Sequence, residues 1–215
     1  MKLYISDLHF YGESLNSVYD NRGFENVQTM NKYMLEQWNS TVKSGDIVIV
    51  LGDLFSTKKA EEANWILNRL AGKICLIEGN HDCEWLKKEG VNLNRFDWIK
   101  NYAEFDDHGY SIVACHYPIV AYNHQHVRKP DGTHRTYMLY GHVHKGPDEI
   151  LVNQFQNITR QTVVTNAQGL TDNIPCHMIN TFCMFSDYKP LSLEDWIKLD
   201  ESRRKLSDYS GSSVH

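Results

Sequence analysis

The chain has 215 residues, of which 41% are hydrophobic and 23% are charged, and this globular composition excludes disorder along its whole length. No apolar run approaches the roughly 20 residues that cross a bilayer, and no signal-peptide segment opens the sequence. The five cysteines lack CxxC spacing, which argues against a disulfide framework. We therefore expect a cytoplasmic protein. The formal net charge of −5 argues against general affinity for nucleic acid, whereas the eleven histidines direct attention to metal binding and proton transfer.

Hydrophobic patterning predicts alternating strands and helices in the first half of the chain. The predicted strands are residues 2–6, 47–51 and 73–77, and the predicted helices are residues 25–43 and 59–70. The unbroken apolar runs of these strands are typical of a parallel sheet that is buried on both faces. We therefore expect a layered α/β arrangement here.

The second half favours more strands. They are predicted at 102–105 and 110–115 around a turn at Asp107-His108-Gly109, at 136–140 and at 177–185, followed by a helix that opens with a capping box at Ser192. Residues 151–176 are polar, with weak strand signals at Ile158 and at Val163-Val164. We interpret the chain as one α/β (α+β) domain over residues 1–206, followed by a flexible tail at 207–215.

Side chains suited to metal binding follow five predicted strands, at the point where each strand ends. They are Asp7 and His9, Asp53, Asn80 with its neighbour His81, His116, and His142 with His144. The carboxyl ends of strands in an α/β sheet open onto one crevice, so we expect these side chains to converge. Carboxylate, imidazole and amide oxygen ligands suit Mn, Zn, Fe or Ni. Each motif alone fits an ordinary turn, but the set of five indicates a metal centre.

These motifs, D-x-H, G-D, G-N-H-D, a single H and G-H-x-H in this order, resemble those of the calcineurin-like metallophosphoesterases. The resemblance implies two packed central β-sheets flanked by helices, a four-layer αββα sandwich, with a two-metal centre. It assigns Asp7, His9 and His144 to one ion, Asn80, His116 and His142 to the other, and Asp53 to both. It also implies that a hydroxide between the ions attacks phosphorus and that His81 lies over the substrate as an acid or charge stabiliser.

The phosphoprotein-phosphatase branch of this family carries the motif G-D-x-x-D-R-G around the shared aspartate. The segment after Asp53 lacks the second Asp and the Arg of that motif, which counts against a protein phosphatase. The start of the chain and the run at residues 19–24 resemble small bacterial and phage phosphoesterases instead. On this interpretation the catalytic residues are Asp53 and His81, and the substrate contacts are Asn80, His81 and Arg22. Arg22 is chosen because a guanidinium suits a phosphate oxygen pair.

The loop at residues 117–135 follows His116 and carries Arg128, Lys129 and Arg135 in an acidic protein. We expect it to gather anions over the metal centre as an electrostatic gate.

The favoured function is two-metal hydrolysis of a small, nucleotide-like phosphate ester, with the choice between diester and monoester open. A nuclease acting on DNA or RNA ends is the alternative, which the basic loop supports and the net charge opposes. A non-catalytic scaffold ranks lower because every ligand position is present. We expect no membrane partner and no dedicated nucleic-acid platform, and the oligomeric state stays open.

Overall fold

The computed structural model describes the backbone of residues 1–165 and 167–210 and the side chains up to residue 205, apart from residue 166. Its last helix reaches Ser210, so the segment expected to form a tail begins inside that helix, and residues 211–215 lie outside the described part. Among the described residues, no helix is long and apolar enough to cross a membrane.

The first half of the chain builds a four-stranded parallel sheet with the strand order β1-β2-β3-β4. Its elements are β1 (Lys2–Ile5), α1 (Val27–Thr41), β2 (Ile47–Val50), α2 (Ala60–Leu67), β3 (Lys73–Ile77), the short helix α3 (Asp82–Leu86) and β4 (Phe96–Lys100). The alternation predicted from hydrophobic patterning is confirmed. Strand β4 lies at the edge of the sheet. It was not predicted, because its only apolar run is Trp98-Ile99 between the charged residues Asp97 and Lys100.

The second half builds a four-stranded sheet with the order β10-β7-β6-β5, in which only the β5–β6 pair is antiparallel. Its elements are β5 (Tyr102–Asp107), β6 (Tyr110–Cys115), β7 (Thr136–Tyr140), α4 (Pro147–Gln161), the ribbon strands β8 (Val163–Thr165) and β9 (Thr171–Asn173), then β10 (Met178–Asn180) and α5 (Leu193–Ser210). The predicted hairpin at residues 107–109 joins β5 to β6.

The two sheets pack face to face through alternate residues of their strands. Tyr4 of β1 and Ile49 of β2 belong to one buried cluster with Ala114 of β6 and Leu139 of β7. Because successive side chains of a strand point to opposite faces, the residues between them are buried against the outer helices. The result is the four-layer α/β sandwich expected from the sequence.

Helices cover the outer faces of both sheets. On the first sheet, α1 contributes a buried stripe of Met30, Met34 and Trp38 at helical spacing. On the second sheet, Phe155 of α4 packs against the cluster that contains Met138 of β7. This burial holds the sheets together, so that their strand ends are presented at a common edge.

Two predictions in the second half were wrong. Ile158, taken as a weak strand signal, lies in α4 and is 66% exposed. Helix α4 opens with Pro147 and carries Asp148 and Glu149 in its first turn, helix-start signals that the sequence prediction did not use. The strand expected at 177–185 is regular only over β10; Phe182 adds an isolated bridge to Ser6, and a 3₁₀ turn follows at Cys183–Ser186. By contrast, the weak signal at Val163-Val164 does correspond to β8.

Candidate metal centre

The backbone turns sharply where the ligand-bearing strands end. Five candidate ligands have positive φ angles, namely Asp7 (55°), His9 (48°), Asp53 (55°), His142 (70°) and His144 (48°). Residues other than glycine rarely adopt this left-handed backbone conformation. It costs about 1–3 kcal/mol per residue and persists only where the surrounding structure enforces it. The concentration of this strain in five ligand positions marks the edge of the sheets as a functional site.

The first group of candidate metal ligands is Asp7, His9 and His144. The carboxylate oxygen and imidazole nitrogens that they offer all lie within 4.8 Å of one another. His144 Nε2 is 3.5 Å from Asp7 Oδ1, and His9 Nε2 is 3.5 Å from Asp53 Oδ2. His9 Nε2 is buried and has no hydrogen-bond partner among the described residues. Buried polar atoms are normally paired, so an unpaired imidazole nitrogen beside carboxylates fits a metal ligand.

A second group adjoins the first. Donor atoms of Asp7, Asp53 and His116 also lie within 4.8 Å of one another. Asn80 Oδ1 is 3.0 Å from His116 Nε2 and 3.0 Å from His142 Nδ1. Asp53 Oδ2 is 3.5 Å from both His9 Nε2 and His116 Nε2. The Asp53 carboxylate therefore lies between the two groups, the position that a shared ligand requires.

Three imidazoles are oriented by contacts through their Nδ1 atoms. His144 Nδ1 is 2.7 Å from Asp20 Oδ1, His116 Nδ1 is 2.8 Å from the Leu51 carbonyl oxygen, and His9 Nδ1 is 3.0 Å from Ser56 Oγ. Such contacts leave Nε2 for the metal side and fix the ring orientation.

Asp20 and Ser56 were missed by sequence reasoning. Asp20 is separated from His144 by 124 residues and Ser56 from His9 by 47. Neither spacing forms a local motif, so no signal in the sequence pointed to these partners.

Burial and neighbouring charges shift the pKa values of the histidines in the cluster. Burial is the largest single influence on His116 and lowers its pKa, but the hydrogen bond to Asp53 and the charges of Asp7 and Asp53 together outweigh burial and raise the pKa to about 9. Burial also lowers the pKa of His144, but the hydrogen bonds to Asp20 and Asp7 and the charges of these two residues together outweigh it and raise the pKa to about 9. For His9 burial dominates and lowers the pKa to about 4.

Asp82, the last residue of the G-N-H-D motif, organises the turns under the cluster. Its carboxylate accepts hydrogen bonds from the backbone N–H groups of Asp53 (2.7 Å), Leu54 (2.9 Å) and Gly79 (2.8 Å), and from the indole of Trp85 (2.8 Å). Burial, followed by the nearby Asp53 charge, raises the pKa of Asp82 to about 6. Asp82 thus ties the turn after β2 to the turn after β3.

Two glycines make this close approach possible. A Cβ atom on Gly79 would lie 2.2 Å from Asp53 Oδ1, and one on Gly52 would lie 2.2 Å from His116 Nδ1. Gly52 also has a φ of 94°, which favours glycine. The glycine of each motif is therefore required for the ligands to crowd together.

A cleft of about 560 Å³ opens over the cluster. It is lined by His9, Ser14, Leu15, Tyr19, Asp53, Ser56, Asn80, His81, His142 and His144. His81 is exposed to this cleft, its backbone N–H donates to Asp53 Oδ1 (2.9 Å), and its ring centroid is 5.3 Å from that of His9. His81 therefore lies where a substrate held by the cluster would meet it.

Arg22 does not reach the cleft, which corrects the expectation of a substrate contact. Its side chain is fully buried, and its guanidinium donates to Asp20 Oδ2 (2.9 and 3.0 Å), to the Leu8 carbonyl (2.7 Å) and to the Asp7 carbonyl (3.0 Å). Because these bonds occupy the guanidinium beneath the turn after β1, Arg22 positions the ligands and is not free to bind phosphate.

The cationic residues of the 117–135 loop also lie away from the cleft. Arg128 pairs with Asp172 (2.8 Å), Lys129 Nζ lies 3.3 Å from the ring centroid of Tyr110, and Arg135 lies 3.8 Å from Asp106. These partners lie on the β8–β9 ribbon or at the end of the second sheet opposite the ligand turns. Arg135 is separated from the cluster by the length of β7, and at about 3.3 Å per strand residue this places it on the order of 20 Å away. The electrostatic gate expected from the sequence is therefore wrong.

A family model described as calcineurin-like phosphoesterase matches residues 3–166, which include every ligand-bearing turn. The chain belongs to this family. Calcineurin-like phosphoesterases generally hydrolyse phosphate esters with divalent metal ions, and the Asp and His groups described above could hold such ions.

Two similar proteins extend the comparison beyond the matched region. The chain is 33% identical over 203 residues to the uncharacterized protein MJ1445 of Methanocaldococcus jannaschii, covering 93% of this chain and 92% of that protein. It also superposes on the crystal structure of AQ665, a protein of unknown function from Aquifex aeolicus, with a TM-score of 0.61 and 24% identity over 93% and 98% of the two chains. The latter similarity shows a shared fold.

Proposed function

We propose that this calcineurin-like phosphoesterase hydrolyses a small phosphate ester with two divalent ions. Asp7, His9 and His144 would hold one ion, Asn80, His116 and His142 would hold the other, and Asp53 would be shared between them. The supporting observation is the convergence of these donors from five strand ends around the unpaired His9 Nε2. The mixture of imidazole, carboxylate and amide donors suits Mn, Zn, Fe or Ni.

When bound, the ions would neutralise phosphoryl charge and lower the pKa of bound water. Asn80 and His81 line the cleft, where they would contact the phosphoryl group of the substrate. The His81 imidazole donates a proton to the departing ester oxygen, which converts a poor alkoxide leaving group into an alcohol. Asp53, held by the His81 backbone N–H, fixes the distance between this acid and the cluster.

Metal analysis combined with an ester assay tests the proposal. Protein stripped with a chelator and reloaded with Mn²⁺ should retain close to two ions per chain and hydrolyse a nitrophenyl phosphate reporter. Asp53→Asn should lower both metal content and activity, whereas His108→Ala, a change in the exposed β5–β6 turn, should alter neither. A folded protein that retains no Mn²⁺ would refute the proposal.

A nuclease function loses the observation that favoured it. The basic residues of the 117–135 loop are paired or packed far from the cleft, so a cationic track for a polynucleotide is not formed there. We therefore favour a small phosphorylated substrate.

A further inference from the structure

The rim of the cleft carries an exposed aromatic ring on a rare backbone conformation. Tyr19 is 76% exposed and has no hydrogen bond or ring contact among the described residues. It ends a π-helical turn at Leu15–Tyr19, and both of these terminal residues line the cleft. π-helical turns are uncommon and occur frequently at functional sites. An apolar wall therefore stands beside the metal centre.

This wall is anchored to the cluster. The Asn16 side chain donates to the Phe24 carbonyl (2.8 Å) and accepts from the Phe24 N–H (2.9 Å), which closes the segment on itself. The next residue after Tyr19 is Asp20, whose carboxylate binds both His144 (2.7 Å) and Arg22 (2.9 Å). The backbone of Tyr19 is thus tied to the ligand His144 through Asp20, which places the Tyr19 side chain at the rim of the cleft.

A second tyrosine flanks the other half of the cluster. The Tyr117 ring centroid lies 5.0 Å from that of His116 and 4.6 Å from that of His142, and Tyr117 is 46% exposed. Tyr19 adjoins the ligand group that includes His144, whereas Tyr117 adjoins the group that includes His116. Two aromatic surfaces therefore border the cluster, one for each ligand group.

The charge of the cleft is informative as well. Its lining contains no lysine or arginine among the described residues, and the nearby Arg22 is committed beneath it. A phosphomonoester dianion carries two negative charges over three nonbridging oxygens, whereas a phosphodiester carries one negative charge over two nonbridging oxygens. A cleft with an apolar wall and no cationic side chain beyond the metal ligands matches the diester.

We infer that the substrate is a phosphodiester with an aromatic substituent, of the size of a nucleobase, that stacks on Tyr19. This inference rests on the proposed function. Water adds to phosphorus, one P–O ester bond breaks, and the departing oxygen takes a proton, so that the products are a phosphomonoester and an alcohol. Tyr19 acts as a specificity residue through its ring.

The test uses the full chain loaded with Mn²⁺ and three reporters: the 4-nitrophenyl ester of thymidine 5′-monophosphate, methyl 4-nitrophenyl phosphate and 4-nitrophenyl phosphate. The wild type should have a higher kcat/KM for the diesters than for the monoester. Tyr19→Ala should lower kcat/KM for the thymidine diester about ten- to a hundredfold relative to the methyl diester, the range that base stacking supplies. Tyr19→Phe, which keeps the ring, should retain the preference.

Binding gives a second readout. The dissociation constant for thymidine 5′-monophosphate, measured by calorimetry, should rise in Tyr19→Ala and stay near the wild-type value in Tyr19→Phe. Trp65→Ala removes another exposed ring, near the end of α2 and before β3 begins, at the opposite end of the first sheet from the ligand turns. This variant serves as the control and should change neither quantity.

Two results would overturn the inference while leaving the proposed function intact. One is a preference of the wild type for the monoester, and the other is an equal loss for both diesters in Tyr19→Ala. Failure to hydrolyse any of the three reporters with two ions bound would refute the proposed function, and the inference with it.

Discussion

At the scale of single residues, each oriented imidazole divides its two nitrogens between protein and site. His9, His116 and His144 use Nδ1 for Ser56, the Leu51 carbonyl and Asp20, respectively, which leaves Nε2 on the cluster side. Ring orientation is therefore set before any ion binds, and this lowers the entropic cost of coordination.

Asp20 provides a test of this orienting role. Asp20→Asn keeps the size of the side chain but removes the charge that binds His144 and Arg22. We expect Mn²⁺ affinity to fall about 10- to 100-fold, the range for loss of a group that orients a ligand. Calorimetric titration measures the loss. Asp97→Asn, an exposed carboxyl on β4, is the control, and unchanged affinity in Asp20→Asn would contradict the role.

The proposed role of His81 also concerns a single residue, since its imidazole donates one proton to the leaving group. His81→Ala should keep both ions and lower turnover of an alkyl ester about 10²- to 10⁴-fold, the usual size of general acid catalysis. The loss should be smaller for nitrophenyl esters, whose leaving group needs little protonation. Comparison of the two ester types, together with metal analysis, checks this. Loss of an ion in the variant would instead assign His81 to the metal ligands.

At the scale of elements, the site consists of turns and not of strands. Gly52-Asp53 ends β2 and Gly79-Asn80 follows β3, and the Asp82 carboxylate joins them through three backbone hydrogen bonds. The strands supply the common edge, whereas the turns supply the strained backbone and the close contacts.

Gly79→Ala tests how tightly these turns are packed. The added Cβ would lie 2.2 Å from Asp53 Oδ1 and 2.6 Å from the Asp53 backbone nitrogen, so the Asp53 turn must move. We expect a loss of about 1–3 kcal/mol in unfolding free energy, as for other overpacked sites, and a lower metal content. Gly45→Ala, where nothing lies within 4 Å of the new Cβ, should be tolerated. Denaturant unfolding and metal analysis report both effects.

At the scale of the whole molecule, neither sheet contains the complete site. The first sheet supplies Asp7, His9, Asp53 and Asn80, and the second supplies His116, His142 and His144. Bound ions would therefore link the two sheets, so metal binding and the stability of the whole fold are coupled.

The pH dependence of stability follows from this coupling. In metal-free protein, the pKa values of His116 and His144 are raised to about 9 from an unfolded value of about 6.5. Their contribution is fully present below pH 6.5 and is lost as the pH rises through 9, so the melting temperature of chelator-treated protein should fall over this window. Each kcal/mol lost shifts the midpoint by about 2–4 °C.

With excess Mn²⁺ the fall in melting temperature between pH 6.5 and 9 should largely disappear. The ions displace the protons of these imidazoles, so apparent metal affinity rises with pH, and the stabilisation by metal should increase from pH 6.5 to 9. Melting curves with chelator and with Mn²⁺ at several pH values measure both slopes. Parallel slopes in the two conditions would contradict proton displacement at His116 and His144.

The sequence by itself determined six of the sheet-forming strands, β1–β3 and β5–β7, and the seven candidate ligands, because both leave local signals. Apolar runs mark strands that are buried on both faces, and the glycine-containing motifs mark the sharp turns that end them. The four-layer fold followed from these signals and from the family resemblance. Helix α4 was missed although local signals mark its start, namely Pro147 at its first turn followed by Asp148 and Glu149.

Only the tertiary structure decided which charged groups face the cleft. Arg22 and the 117–135 loop have the composition of anion-binding groups, yet Arg22 is buried against Asp20 and backbone carbonyls, and Arg135 lies at the far end of β7. Asp20 reaches His144 across 124 residues of sequence. Charge and composition are properties of a segment, whereas the direction of a side chain and its partners depend on packing between distant elements.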